Sequence, residues 1–303
     1  MKIAISTSSF ASVNPAPLEL LQAKGLEVVS NPYGRKLTEQ EIISHLQSVD
    51  GLLAGLEPLN ATVFKSCPQL KAIARVGIGM DNVDLDVANA AGIKVSNTPE
   101  SPTEAVAEMT LAAALVLSRS ILPANNALHQ KRWSKSIGIG LKNTKILIIG
   151  YGRIGRKVAE FFHAFGAQII VCDPLISQED LRKDVQFVKL NKGLKSADII
   201  TLHAAGSNTI LTSTEFKAMK DGVIILNSSR GNLIDEETLI EALDMGKVAS
   251  AWLDVFSEEP YTGKLTEYDQ VLLTPHMSTY SVQCRKDMEM AAVNNLLRDL
   301  GVI

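Results

Sequence analysis

The sequence predicts an α/β protein made of two doubly wound parallel-sheet domains. Three observations lead to this fold class. Short apolar runs rich in β-branched residues alternate with helical patterns along almost the whole chain. One long apolar stretch, residues 102–119, interrupts that alternation and separates two series of predicted strands. The length of 303 residues is typical of two domains that each bury a core.

The first series consists of strands joined by helices with recognisable starts. Pro17 suits the first turn of one helix, and Thr38 and Glu41 have the spacing of a capping box in another. Asp84 is placed to cap a third helix, which Gly92 ends. The predicted strands are Ile3–Ser6, Leu26–Ser30, Gly51–Ala54, Ala72–Val76 and Ile93–Ser96.

The stretch at residues 102–119 is predicted to be one long helix that is apolar on most faces. A helix of that kind needs burial on all sides, so we expect it to be shared between domains or packed in a dimer. We expect a homodimer formed through residues 102–140. The nearby basic cluster of Lys131, Arg132 and Lys135 is interpreted as a solvated face rather than a binding patch.

The second series begins at Lys145, and its helices are predicted to start near Gly152, Thr214 and Asp235. The last segment, Ser281–Leu300, is a predicted helix with no strand after it. The predicted strands are Ile146–Ile149, Gln168–Cys172, Gln186–Val188, Ile199–Leu202, Val223–Asn227, Ala249–Leu253 and Val271–Leu273.

Composition excludes several classes of protein. Hydrophobic residues make up 46% and charged residues 21%, as in ordinary globular proteins. The net charge of −3 gives no reason to expect a nucleic acid partner. Because Cys67, Cys172 and Cys284 lie far apart, neither a disulfide framework nor a metal site is predicted. With no signal-peptide pattern and no apolar run long enough to cross a membrane, we expect a soluble cytoplasmic protein.

A glycine motif marks a predicted nucleotide site. An apolar strand leads directly into Gly150-x-Gly152-x-x-Gly155, and a helix follows. Gly150 permits a tight turn, Gly152 lets the backbone approach a pyrophosphate, and Gly155 lets the helix pack against the strand. Arg153 and Ile154 open that helix, whose N-terminus favours the negative charge of the pyrophosphate, and belong to the predicted cofactor site.

The acid after the next strand strengthens this assignment. Asp173 follows the strand Gln168–Cys172 and stands where a carboxylate accepts hydrogen bonds from the adenosine ribose hydroxyls. A 2′-phosphate would be repelled there, so NAD is favoured over NADP. The alternative is an ordinary glycine turn, with Asp173 capping a loop before Pro174.

Three further motifs stand at or just after the ends of predicted strands. In an open α/β sheet, ligands bind outside the carboxyl ends of the strands, so an arginine, a carboxylate and a histidine are expected near the cofactor. The motifs are Asn227–Gly231, Leu253–Pro260 and Leu273–His276.

Together with Arg75–Asp84 and Asn97–Pro99, these motifs resemble the D-isomer-specific 2-hydroxyacid dehydrogenase family over nearly the whole chain. Gly55–Pro58 and Asp269–His276 are most similar to the 3-phosphoglycerate dehydrogenase branch, here in a short form without its regulatory domain.

The resemblance implies a domain arrangement. A Rossmann NAD-binding domain, residues 99–279, is inserted into a flavodoxin-like substrate domain formed by residues 1–98 plus 280–303, with the active cleft between them. One departure concerns residues 203–206, His-Ala-Ala-Gly, where many members have His-x-Pro in the loop that covers the adenosine side of the cofactor.

The resemblance also implies a catalytic set. Arg230 binds the substrate carboxylate and polarises the carbonyl, because its planar fork fits both groups. His276 donates a proton to the nascent alkoxide, and Glu259 hydrogen-bonds the imidazole and fixes its tautomer. Taken alone, each of the three residues is more typical of a surface or loop position.

Other positions are assigned by the same resemblance. Asp254 is expected to meet the nicotinamide carboxamide, and Ser228 to line that pocket. Val76 and Gly77 are expected to offer backbone N–H groups to the substrate carboxylate. Arg75 is expected to hold a substrate phosphate, the alternative being a surface arginine at a strand end.

The implied reaction is reversible, NAD-linked oxidation of a D-2-hydroxy acid to its 2-oxo acid. The first choice of substrate is D-3-phosphoglycerate, and the alternative is reduction of glyoxylate or hydroxypyruvate. A hypothesis from another class is an NADH-sensing, corepressor-like binding protein. Formate dehydrogenase is disfavoured, because Glu259 stands where a glutamine would be expected.

Overall fold

The computed structural model describes residues 1–206 and 208–303, which divide into two compact units. Unit 1 comprises Met1–Pro102 and Tyr280–Ile303, and unit 2 comprises Thr103–Thr279. Each unit is built on one parallel sheet with helices packed on both faces. The predicted α/β fold class is therefore confirmed.

Unit 1 has a five-stranded sheet in the order β2-β1-β3-β4-β5, which is the flavodoxin-like order. The strands are β1 (Lys2–Ile5), β2 (Glu27–Val29), β3 (Gly51–Ala54), β4 (Ala72–Arg75) and β5 (Lys94–Ser96). The helices are α1 (Ala16–Ala23), α2 (Glu39–His45), α3 (Ala61–Ser66), α4 (Leu85–Ala90) and, from the C-terminal segment, α11 (Val282–Asp299).

Helices α2 and α4 of unit 1 begin at the capping residues that the sequence predicts. Thr38 and Glu41 form the capping box of α2, and the Asp84 carboxylate accepts the Val87 N–H at the start of α4. Helices α1 and α11 cover one face of the sheet through residues such as Leu21 and Leu296. Helices α2, α3 and α4 cover the other face, so both faces are buried.

Unit 2 has a seven-stranded sheet in the order β12-β11-β10-β9-β6-β7-β8, a Rossmann order with one added strand. The strands are β6 (Lys145–Ile149), β7 (Gln168–Cys172), β8 (Val185–Phe187), β9 (Ile199–Leu202), β10 (Val223–Asn227), β11 (Val248–Leu253) and β12 (Val271–Leu273). The helices are α5 (Pro102–Ser118, whose first residue belongs to unit 1), α6 (Ile121–His129), α7 (Arg153–Ala164), α8 (Leu190–Leu194), α9 (Ser213–Ala218) and α10 (Glu236–Asp244). The short helix α8 was not predicted.

The long apolar helix α5 packs mainly within its own unit. Ala107, Ala114 and Leu117 belong to the core between α5, α7 and the sheet. Other apolar side chains of the helix are only partly buried, so the expectation that it is shared between domains or packed in a dimer stays a prediction. In the segment after the helix, Trp133 and Ile137 are among the most exposed large apolar side chains of the described residues.

Among the described residues, no single helix is both long and apolar enough to span a membrane. Helices α5 and α6 meet that test only when they are taken together, as a pair bent by 63°.

Candidate active site

The glycine motif forms the turn between β6 and α7 that the sequence predicts. Gly150 has a φ of 93°, and a Cβ there would lie 2.4 Å from the Ala204 nitrogen. A Cβ at Gly155 would lie 2.2 Å from the Gly150 carbonyl oxygen, so only glycine allows this approach of helix to strand. Gly152 is the N-cap of α7, has open space at its Cβ position, and provides no side-chain cap. The helix start is therefore left open to an anion.

Asp173 follows β7 beside this turn. Its Oδ2 accepts the Tyr151 N–H at 2.7 Å, and its Oδ1 accepts the Leu175 N–H at 2.8 Å. These bonds fix the carboxylate next to the glycine motif, and each oxygen keeps a further lone pair that can accept from a ribose hydroxyl.

The loop at residues 203–206, whose sequence departs from the family pattern, packs directly against Gly150. The Thr201 hydroxyl is hydrogen-bonded to Nε2 of His203 at 2.8 Å, and burial lowers the pKa of His203 to about 3. The Ala204 carbonyl accepts a hydrogen bond from the Ser229 hydroxyl. A neutral histidine thus holds the loop that connects the glycine turn to the segment carrying Arg230.

Arg230 lies in a tight turn after β10. The Asn227 side chain, which is buried, accepts the Ser229 N–H at 3.0 Å and donates to the Arg230 carbonyl at 2.8 Å. A Cβ at the next residue, Gly231, would lie 2.0 Å from the Phe256 carbonyl carbon. The backbone after Arg230 is therefore in direct contact with the loop that carries Glu259.

Glu259 and His276 form a hydrogen-bonded pair. Oε2 of Glu259 lies 2.9 Å from Nδ1 of His276, and Oε1 accepts the Phe256 N–H at 3.1 Å. His276 has a φ of 50°, in the left-handed region. With Nδ1 engaged by the carboxylate, Nε2 is the ring atom left to exchange a proton with a ligand.

Asp254 lies under the loop that carries His276. It is fully buried, and its carboxylate accepts the Thr274 hydroxyl at 2.5 Å and the N–H groups of Met277 and Ser278, each at 2.9 Å. Asp254 therefore anchors the loop around His276. Its expected contact with the nicotinamide carboxamide stays a prediction.

Ser228 has the features expected of a residue that lines the nicotinamide pocket. Its hydroxyl oxygen is buried and meets no hydrogen-bond partner among the described residues. An orphaned buried hydroxyl is costly unless a ligand satisfies it, so this atom suits a polar group of a bound cofactor.

Two backbone N–H groups in the loop after β4 of unit 1 have acceptors within that unit. The Val76 N–H donates to the Ala54 carbonyl at 2.9 Å, and the Gly77 N–H donates to the Thr98 hydroxyl at 2.9 Å. Their assignment to the substrate carboxylate stays a prediction. Within the described part of the chain, the N–H groups of the next residues, Ile78 and Gly79, meet no acceptor.

Arg75 and Glu57 form a charged region at the same edge of the unit 1 sheet. Arg75 donates to the Val76 carbonyl, and its guanidinium occupies the place that a Gly77 Cβ would take. Glu57 is almost fully buried and accepts the Ser6 hydroxyl at 2.5 Å. Burial raises the pKa of Glu57, while Arg75 acts in the opposite direction. Sequence reasoning missed Glu57 as an interacting group, although it lies within the quoted motif Gly55–Pro58.

A family model places this chain among known proteins. The model described as "D-isomer specific 2-hydroxyacid dehydrogenase, NAD binding domain" matches residues 111–278, more than half of the chain. The chain belongs to this family.

Relatives of this dehydrogenase include enzymes with different substrates. It is 36% identical to a hydroxypyruvate reductase of Thermotoga maritima, with 93% of this chain and 94% of the relative covered. It is 35% identical to the D-3-phosphoglycerate dehydrogenase of Homo sapiens, covering 92% of this chain and 54% of that enzyme. This chain thus spans about half the length of the phosphoglycerate dehydrogenase. The crystal structure of a glyoxylate reductase from Paecilomyes thermophila superimposes with a TM-score of 0.86 at 28% identity, covering 98% and 94% of the two chains.

NAD is the cofactor of this dehydrogenase, and the residues present fit it. The uncapped start of α7 at Gly152 suits the pyrophosphate, Asp173 suits the ribose, and the orphaned Ser228 hydroxyl suits a polar group of the nicotinamide end.

Proposed function

We propose that this D-2-hydroxyacid dehydrogenase uses NADH to reduce a short, unphosphorylated 2-oxo acid, with hydroxypyruvate as the first candidate. The observation that supports the chemistry is the 2.9 Å contact between Glu259 and His276 in a loop that packs beside the Arg230 turn. An imidazole oriented by a carboxylate is suited to general acid–base catalysis.

Three side chains of unit 2 have distinct roles in the proposed reaction. The bound nicotinamide supplies the hydride chemistry. Arg230 holds the substrate carboxylate and polarises the carbonyl through its planar fork. His276 gives the proton from Nε2 to the alkoxide oxygen, and Glu259 stabilises the charged imidazole and keeps its ring oriented. In the oxidative direction His276 takes the hydroxyl proton back.

The choice of an unphosphorylated substrate is supported by the similarity to a hydroxypyruvate reductase over nearly the full length of both chains. Phosphohydroxypyruvate is the second candidate, supported by the similarity to phosphoglycerate dehydrogenase.

The decisive measurement is kcat/KM with NADH for hydroxypyruvate, glyoxylate and phosphohydroxypyruvate. We expect the highest value for hydroxypyruvate and abolished turnover in His276→Ala. A clear preference for phosphohydroxypyruvate would overturn the substrate choice. NADH binding without turnover of any 2-oxo acid would favour the corepressor-like binding function.

We further propose a homodimer formed through the segment after α5. Trp133 is 81% exposed and Ile137 is fully exposed, which is unusual for large apolar side chains on a free surface. Burying these side chains against a second copy would remove that surface from water. Sedimentation at micromolar concentration is expected to show a dimer.

A further inference from the structure

A tyrosine in the loop that carries Glu259 forms a hydrogen bond with helix α10. We propose that Tyr261 is a positioning residue for the Glu259–His276 pair and acts through Phe256. This inference rests on the proposed acid–base role of that pair, and it concerns a residue that does not itself touch the imidazole in the described contacts.

Tyr261 makes three contacts that fix its place. Its ring stacks on Phe256, with ring centroids 4.2 Å apart and planes 18° from parallel. Its hydroxyl donates to Oε1 of Glu236 on α10 at 2.6 Å and accepts the Leu265 N–H at 3.2 Å. The tyrosine thus connects the loop to a helix that packs against the sheet of unit 2.

Phe256 contacts both Tyr261 and Glu259. Its ring is held by the tyrosine, and its N–H donates to Oε1 of Glu259 at 3.1 Å. The other carboxylate oxygen, Oε2, lies 2.9 Å from Nδ1 of His276. The stacked rings of residues 256 and 261 close the loop around Glu259, so its carboxylate is held from both of its oxygens.

The surrounding sequence makes room for this arrangement. A Cβ at Gly263 would lie 2.5 Å from the Tyr261 hydroxyl oxygen, and a Cβ at Gly231 would collide with the Phe256 backbone. Burial, followed by the bond to Glu236, raises the pKa of Tyr261 to about 12. The hydroxyl therefore stays protonated and remains a donor throughout the working pH range.

The test compares two tyrosines that both donate to carboxylates on α10. Tyr261→Phe keeps the ring stack and removes only the hydroxyl. Tyr268→Phe is the matched control, because the Tyr268 hydroxyl donates to Asp244 at 2.9 Å and has no described contact with residues 256–261. We expect Tyr261→Phe to lower kcat for 2-oxo acid reduction about 5- to 20-fold, a fraction of a full acid–base contribution, with KM for NADH unchanged. Tyr268→Phe should keep the wild-type kcat.

Two variants of the partner separate positioning from general stability. Glu236→Gln keeps an oxygen acceptor for the tyrosine and should retain the wild-type kcat, whereas Glu236→Ala should lower kcat, though no further than Tyr261→Phe, which also removes the bond to the Leu265 N–H. The double variant Tyr261→Phe, Glu236→Ala should lose no more than Tyr261→Phe alone, because the bond to Glu236 is already absent there.

Amide hydrogen exchange of Phe256 gives a readout that needs no turnover. The Phe256 N–H, which donates to Glu259, should exchange faster in Tyr261→Phe and as in wild type in Tyr268→Phe. Wild-type exchange at Phe256 in Tyr261→Phe, or a wild-type kcat, would overturn the positioning role. Absence of turnover in the wild-type enzyme would instead contradict the proposed function, and the exchange measurement would still decide the role of Tyr261.

Discussion

Protonation of His203 is expected to destabilise this dehydrogenase at mildly acidic pH. The side chain keeps some exposed surface, yet protein surrounds its ring and lowers its pKa to about 3. In the unfolded chain the imidazole has its ordinary pKa near 6.5. The unfolded chain therefore binds more protons than the folded chain between these two values, so stability falls as the pH drops below about 6.5 and levels off below about 3.

The magnitude follows from the separation of the two pKa values. At pH 7 the unfolded histidine is mostly neutral and its contribution is small. At pH 5 the imidazole is almost fully charged in the unfolded chain and still neutral in the folded chain, which lowers the free energy of unfolding by about 2 kcal/mol. The full separation of the two pKa values corresponds to a loss of about 5 kcal/mol in the free energy of unfolding, reached near pH 3, where other groups also titrate.

Urea unfolding at pH 7 and pH 5 measures this effect when wild type is compared with His203→Gln at equal protein concentration. Glutamine does not titrate, and its side chain reaches the Thr201 hydroxyl that His203 contacts at 2.8 Å. Wild type should lose about 2 kcal/mol more than the variant between the two pH values, because all other groups titrate equally in both. An identical pH dependence in the two proteins would refute the reasoning.

Four further outcomes are expected for the proposed function. Asp173→Ser should lower the ratio of NADH to NADPH efficiency in kcat/KM by about tenfold or more, because a charge-assisted contact is lost and phosphate repulsion is relieved; an unchanged ratio would contradict the ribose assignment. Arg230→Lys should lower kcat/KM about 100-fold, since an ammonium cannot reproduce the planar fork, and near-wild-type kinetics would remove Arg230 from the mechanism. Glu259→Gln should lower kcat for 2-oxo acid reduction about tenfold or more, because the imidazole of His276 loses the carboxylate that orients its ring; a wild-type kcat would argue against the pair. Trp133→Lys should give a monomer by sedimentation, whereas a dimer identical to wild type would place the interface elsewhere.

Features that depend on neighbours along the chain could be predicted from the sequence. The capping box at Thr38 and Glu41 and the cap at Asp84 satisfy N–H groups within three residues, so their geometry is local. The glycine turn at residues 150–155 is local in the same sense, since its residue types determine which backbone conformations are open.

Features that depend on contacts between distant segments could not be predicted from the sequence. The Val76 N–H donates to Ala54 at the end of β3, and the Gly77 N–H donates to Thr98, contacts that the order of residues along the chain does not reveal. Asp254 belongs to a motif that resemblance assigns to the cofactor, yet folding places its carboxylate beneath residues 274–278.

The sequence by itself determined the fold class and the nucleotide motif, because strand periodicity and glycine spacing are local properties of the chain. The roles of Arg230, Glu259 and His276 are what the family resemblance implies, and only the tertiary structure decided which of their atoms meet. The pairing of Glu259 with Nδ1 of His276 and the fastening of Tyr261 to Glu236 join residues 17 and 25 positions apart. Such contacts depend on how loops at the ends of parallel strands pack against one another, and side-chain packing of that kind leaves no periodic trace in the sequence.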